Sequence, residues 1–283
     1  MRAREAWRRL HFGLSTLLGA APRGFFIPYR YAAGVAPQEY GALRPLFAAA
    51  EPRMRDVLDA IEQQAENLLA IQSGTGPARF DQGWFPRLDA AAAYALVRRE
   101  KPRHIVEVGS GHSTRFLARA VQDGGLGTRI TCIDPAPRAT LKDLPVEHLA
   151  ALFGDAPPQL FAALEPGDIL FIDSSHVAMP GTDVDRLFLD VLPRLSPGVL
   201  IHVHDITLPD AYPPEWAWRG YNEQLLVGAL LQGGAYELVF SSHYAAQAWP
   251  ERIRDSVLGR IPLKDRVPET SLWLRKSAHS AIR

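Results

Sequence analysis

Two short segments concentrate the side chains best able to do chemistry. Asp173-Ser174-Ser175-His176 follows the apolar run 168–172, and His202-Val203-His204-Asp205 ends the run that begins at Val199. If these runs are neighbouring parallel strands, their ends share one sheet edge, where ligands bind in open α/β sheets. Three histidines and two aspartates would then line one crevice. Carboxylates and imidazoles together bind divalent ions. An imidazole that titrates near neutrality also takes a proton as a general base. Two plainer readings stand beside these. His202 alternates with Val203 onto the opposite face and suits a hydrogen-bonded core histidine. Asp173 suits a cap on the segment that follows.

A third segment, Glu107-Val108-Gly109-Ser110-Gly111-His112-Ser113-Thr114, stands where a strand passes into a helix. Glycines there let the backbone approach a ligand, and a helix N-terminus offers free N–H groups. The dinucleotide fingerprint G-x-G-x-x-G is incomplete, because Thr114 stands at its third glycine. Glu107 would repel a pyrophosphate and suits a cationic or hydroxyl-bearing ligand. Asp134 ends the next strand, where an acid accepts hydrogen bonds from ribose hydroxyls. Asp155, in Gly154-Asp155-Ala156, is placed to meet an adenine amino group. The alternatives are a tight turn without ligand at 107–114 and solvated turn aspartates at 134 and 155. Residues 218–224 (WRGYNEQ) put polar and aromatic groups at a helix start, as a site or as a capped, solvated end.

Only a sheet can gather residues so far apart in the chain. Apolar runs predict strands at 103–108, 129–133, 168–172 and 199–204, with a weak one at 149–153. Helices are expected at 53–69, 88–99, 113–121, 183–195 and 216–231. This alternation predicts an α/β fold, a doubly wound and mostly parallel sheet. Strands that are apolar throughout fit burial on both faces. Late strands at 236–241 and 271–274 lack a clear crossover helix between them and predict an antiparallel edge pair. Residues 1–83 read as a helical and irregular extension or cap, and 84–283 as the main domain. The aromatic-rich segment 24–31 (GFFIPYRY) is expected to cover a core, with a substrate lid as the second reading.

The composition narrows the classes. Of the 283 residues, 47% are hydrophobic and 22% charged, the profile of a chain with a sizeable core rather than a disordered one. Lys plus Arg and Asp plus Glu both total 31, so no basic excess supports a nucleic-acid partner. The single cysteine, Cys132, excludes an intrachain disulfide and a cysteine-based zinc site, and suits a cytoplasmic setting. No stretch of about 18 apolar residues predicts a membrane span. Arg2, Arg4, Arg8 and Arg9 precede an apolar run at 12–22. The favoured reading is a helix packed on the main domain with its arginines in water. The others are a basic amphipathic helix in peripheral contact with a membrane, and a signal peptide with the poor cleavage region Leu18-Gly19-Ala20-Ala21.

In this order, EVGSGHST, ITCIDP, GDA, ILFIDSSH and GVLIHVHDI resemble a class I S-adenosylmethionine-dependent methyltransferase. The branch resembled also contains macrocin-type O-methyltransferases and cephalosporin-hydroxylase-like proteins. The resemblance spans residues 84–245 and extends to the final strand pair. It implies a Rossmann-like seven-stranded sheet whose last two strands form the antiparallel edge. It implies that Glu107, Gly109, Ser110 and Gly111 line the methionine part of the cofactor. Asp134 would hold the ribose, Asp155 would approach the adenine, and Asp173 would lie beside the cofactor. Asp173 matches a metal-binding acid of catechol-type relatives, and His204-Asp205 falls where these carry two more ligands. Asp173, His204 and Asp205 would thus hold Mg, Mn or Fe, with histidine in place of one expected acid. His204, His176 and His202 are the candidate bases.

The resemblance implies methyl transfer to a hydroxyl of a small-molecule acceptor. The sulfonium carbon is already activated, so the protein aligns the nucleophile and removes its proton. Three alternatives use the same sheet: a metal-dependent hydroxylase-like enzyme, a non-catalytic cofactor-binding scaffold, and a nicotinamide oxidoreductase, the last disfavoured by Thr114 and Glu107. The acceptor's identity and the oligomeric state are not legible in the sequence.

Overall fold

The structure, a computed structural model, describes residues 3–278 apart from 26 and 266. Arg2 of the basic cluster and Phe26 of the aromatic segment lie outside the described residues. Helices α1 (Ala3–Leu17), α2 (Arg44–Glu62), α3 (Ala65–Ser73) and α4 (Arg87–Glu100) precede the first strand, β1 (His104–Val108). Then come α5 (His112–Asp123), β2 (Arg129–Ile133), β3 (Glu147–Leu149), α6 (Gln159–Ala162) and β4 (Ile169–Ile172). A helical stretch follows, made of α7 (Asp183–Arg186), a π-helical turn (Leu187–Val191) and α8 (Leu192–Arg194). The chain ends through β5 (Leu200–Val203), α9 (Glu223–Gln232), β6 (Tyr236–Ser241), α10 (Ser242–Ala248), α11 (Pro250–Asp255) and β7 (Leu272–Lys276).

The strand order is β3-β2-β1-β4-β5-β7-β6. The first five strands are parallel, and β7 runs antiparallel to both β5 and β6. The sheet is thus the expected Rossmann-like α/β architecture with an antiparallel edge. Its order reverses between β1 and β4, the switch point where the carboxyl ends of the strands open a crevice. Every residue of β4 and β5 is buried, as strands covered on both faces must be.

Helix α4 explains how that cover stays tight. Its Ala90, Ala91, Ala92 and Ala93 are all fully buried, so small side chains let it lie between α2 and α5. Phe47, Met54, Val57 and Ile61 of α2 bury in the same core as the sheet.

Several boundaries differ from expectation for physical reasons. The weak third strand lies at 147–149, not 149–153. It is a short, half-exposed edge strand beside β2, so no apolar run marks it. The helix expected at 216–231 is a 3-10 turn (Pro214–Arg219) and then α9, parted at Gly220, whose φ of +69° ends the first turn. The helix expected at 53–69 is divided between α2 and α3. The expected core cover at 24–31 is not one, since Phe25, Ile27, Tyr29 and Tyr31 are exposed. Nor does α1 join the core: none of its described side chains belongs to it.

Candidate active site

The end of β1 delivers the glycine turn to the switch point. Gly109 has φ +82°, and a Cβ there would stand 1.9 Å from the Asp173 carbonyl oxygen. The ends of β1 and β4 therefore meet only because residue 109 has no side chain. The Ser110 N–H and Oγ donate to Asp134 Oδ2 at 2.8 and 3.1 Å, and the Ala136 N–H donates to Oδ1 at 2.8 Å. Asp134 is thereby fixed, half-exposed, at the tip of β2. Asp155 is exposed beyond β3. His112 Nδ1 and Ser174 Oγ, beside the turn and beside Asp173 in sequence, are buried without a protein partner. Such atoms call for a ligand or water. The glycine turn at the start of α5 and the acid fixed at the tip of β2 fit an adenosyl cofactor, while Asp155 lies in a 3-10 turn (Phe153–Asp155) past β3.

Glu107 does not line that pocket as expected. It is fully buried, and Ser113 Oγ and Thr114 Oγ1 each donate to it at 2.6 Å, with Cys132 Sγ at 3.3 Å. The carboxyl braces the start of α5 from below. Burial pushes it up to about 7, against the pull of the two hydroxyls. A carboxyl raised in the folded state adds stability that is complete below its unfolded value, near 4.5, and disappears as pH rises through 7. Unfolding by denaturant should therefore show about 3 kcal/mol more stability from this group at pH 4.5 than at pH 8. Glu107→Gln should remove that difference, and an unchanged pH slope in the variant would contradict the assignment.

Beyond β4 and β5 the expected cluster assembles, with members the sequence did not reveal. His176 is buried, with Nδ1 2.9 Å from Glu223 Oε2 and Nε2 3.3 Å from Asp173 Oδ1 and 3.6 Å from Asp205 Oδ2. His204 Nδ1 faces the same two acids at 3.5 and 3.7 Å, and its Nε2 lies 3.3 Å from Asp89 Oδ2. Arg219 reaches Asp205 Oδ2 at 3.5 Å while stacked over Trp216. His176 and Asp205 hold left-handed backbones, φ +59° and +54°, a region that Asp and His enter more readily than most non-glycine residues. Burial alone would lower both imidazoles. The surrounding carboxylates, Asp173 foremost, instead hold them well above the usual histidine range. Burial would likewise raise Asp173, yet His204 and His176 hold it well below the usual carboxylate range.

Asp89 is the least visible member, 115 residues from its histidine. Fully buried on α4, it accepts the backbone N–H groups of Thr270 and Ser271 at 3.0 and 2.9 Å as well as facing His204. It ties α4 to the start of β7 and orients the His204 ring. Asp89→Ala should cost about 3 kcal/mol in denaturant unfolding, because it leaves a buried histidine and two amides unpaired. A loss under about 0.5 kcal/mol, the size of an ordinary surface change, would contradict this role.

One expectation needs correction. His202 is no base in the crevice. It is fully buried, stacked on Phe171 at 3.7 Å, with Nε2 2.8 Å from Ser271 Oγ, and burial holds it well below the usual range. Asp173, His204 and Asp205 do meet, but their polar atoms pair with one another. The His176 ring fills the slot between the two acids, where an ion would need open carboxylate oxygens. Among the described residues no group of three or more His, Cys, Asp or Glu side chains is arranged to hold a metal.

Strand order, directions and the glycine turn together make the Rossmann-like sheet with an antiparallel edge that the resemblance implied. Residues 106–206, from within β1 to just past β5, match the family described as a methyltransferase domain. Among solved structures, the apo structure of CmcI is 15% identical, over 67% of this chain and 71% of that one, with a TM-score of 0.40. The Podospora anserina methyltransferase PaMTH1, bound to SAH, is 16% identical over 90% and 99%, with a TM-score of 0.39. The branched-chain polyamine synthase of Thermus thermophilus is 16% identical over 78% and 66%, at 0.44. No curated protein matches the sequence.

Proposed function

We propose that this methyltransferase transfers the methyl group of S-adenosylmethionine to a hydroxyl of a small-molecule acceptor, with His176 taking the hydroxyl proton. The carrying observation is the placement of His176. The Nδ1–H donates to Glu223 at 2.9 Å, so Nε2, 3.3 and 3.6 Å from Asp173 and Asp205, is the nitrogen that exchanges a proton. Because these carboxylates hold the imidazolium well above the usual histidine range, Nε2 takes the hydroxyl proton in the fraction deprotonated at high pH, and transfer should rise with pH. The bound cofactor supplies a methyl carbon on a positively charged sulfur, so the protein's task is to orient the oxygen and receive its proton. Once His176 is protonated, Asp173, Asp205 and Glu223 stabilise the imidazolium. Asp89 through His204, and Arg219 directly, keep the two acids in place. In this reading residues 84–283 carry the transferase with α2 and α3 of the preceding segment packed into its core, and the buried Cys132 thiol suits a cytoplasmic setting.

The test is transfer of isotopically labelled methyl from the cofactor to a panel of phenols, sugars, primary alcohols, amines and thiols, with EDTA or with added Mg²⁺, Mn²⁺ or Fe²⁺. Labelled ether product formed equally with EDTA supports the reading. Transfer only to amines or thiols would overturn the hydroxyl class. Transfer only with an added ion would overturn the metal-free proton step and restore Asp173, His204 and Asp205 as ligands. Oxidation of a substrate with Fe²⁺ and oxygen would favour the hydroxylase-like alternative.

A further inference from the structure

We propose that the described residues of 3–35, which leave out 26, form a docking face that seats the protein on an anionic lipid surface. Along α1, Trp7, Leu10, Leu14 and Leu17 recur at steps of three and four, so they make one stripe on the helix. They are 67, 60, 48 and 60% exposed. Past the helix, Phe25, Ile27, Tyr29 and Tyr31 stand at alternate positions and are equally open, with the two tyrosine rings edge to face at 5.9 Å. Ten of the sixteen large apolar side chains exposed among the described residues fall between Trp7 and Val35. An apolar surface so concentrated marks an interaction site.

The charges identify the partner. Residues 3–38 hold five arginines and one acid, Glu5, within a chain of zero formal net charge. Arg8 and Arg23 lie over the Phe12 ring at 5.1 and 5.8 Å, on the side of α1 away from the stripe. The turn after α1 is closed on itself, with Ser15 Oγ donating to the Ala21 carbonyl and the Arg23 N–H donating to Thr16 Oγ1. A basic, amphipathic helix followed by exposed tyrosines matches an interface with lipid headgroups. Apolar side chains enter the acyl boundary, aromatic rings sit at headgroup depth, and arginines reach the phosphates. Residues 3–38 of a second copy hold a single acid to set against those arginines, whereas an anionic bilayer offers many. The helix lies in the surface and does not cross it, since no described helix is long and apolar enough to span a membrane.

The experiment is sedimentation of the full chain with vesicles of phosphatidylcholine alone or with added phosphatidylglycerol, alongside light scattering of the free protein. Added phosphatidylglycerol should raise the partition coefficient about tenfold or more, and salt should weaken it. Leu10→Glu/Leu14→Glu and Arg8→Glu/Arg9→Glu should each lower it about tenfold or more, and their exposed positions leave the unfolding transition in place. Absence of binding to either vesicle would overturn the proposal. So would equal binding to both, or a dimer that Leu10→Glu/Leu14→Glu dissociates, which would make a second copy the occupant.

Discussion

His176→Asn is expected to lower the turnover of methyl transfer by about 10²- to 10⁴-fold, the usual range for loss of a general base, with cofactor affinity changed less than threefold or so. Asparagine keeps an N–H donor near the position of Nδ1, so the buried Glu223 retains a partner while Nε2 is lost. The design matters because Glu223 is fully buried, and one of its oxygens already lacks a partner. Full truncation to alanine would strand its carboxylate and confuse folding with catalysis. A structural role alone predicts the opposite pattern, a lower unfolding transition with turnover intact in the folded fraction. Single-turnover rates and calorimetric cofactor binding, measured on the same sample, separate the two.

The second large effect is expected at Gly109→Ala. Two costs coincide there. A positive φ of 82° disfavours any side chain by about 1–2 kcal/mol. The new Cβ would also stand 1.9 Å from the Asp173 carbonyl, a contact relieved only by moving the ends of β1 and β4 apart. Those ends are pinned by the Gly109 N–H donating to the Ile133 carbonyl at 3.0 Å and the Asp173 N–H donating to the Val108 carbonyl at 2.9 Å. The variant should lose about 4 kcal/mol or more, in the range reserved for severe backbone or packing damage. Any folded fraction should bind cofactor weakly. Gly125→Ala is the control, because φ there is +55° with nothing within 4 Å of a new Cβ. It should lose only the backbone cost of about 1–2 kcal/mol. Equal losses in both variants would show that the close approach of β1 and β4 is not what requires glycine.

The sequence made the sheet legible because its inner strands are short apolar runs closed by turn residues. The bounds of β2 and β6 follow from pattern alone. The edge strand β3 does not, because a half-exposed strand carries no such run. Asp173, His176, His204 and Asp205 were legible as a set, since each follows a strand whose neighbour could be inferred. Glu223 lay within a segment already noted for polar and aromatic residues, but nothing in one dimension aims it at His176, 47 residues away. Asp89 carried no signal, being one acid on an alanine-rich helix. His202 misled because strand alternation tells which face a side chain takes, not whether that face opens to a ligand. Glu107 misled in a similar way: a strand-end acid beside a glycine turn can face the ligand or brace the helix beneath it. The hydroxyls of Ser113 and Thr114 settle it as the brace. The N-terminal segment was misread because apolar residues were assumed to find a partner within the chain.

Titration calorimetry of the purified chain with S-adenosylmethionine tests the central claim most directly, comparing the native chain with Asp134→Ala. The account predicts saturable binding at one site per chain. It also predicts that Asp134→Ala weakens binding about tenfold or more, the loss expected when hydroxyls lose charged acceptors. Absence of binding to the native chain, or binding that Asp134→Ala leaves untouched, would contradict a cofactor pocket at the ends of β1 and β2.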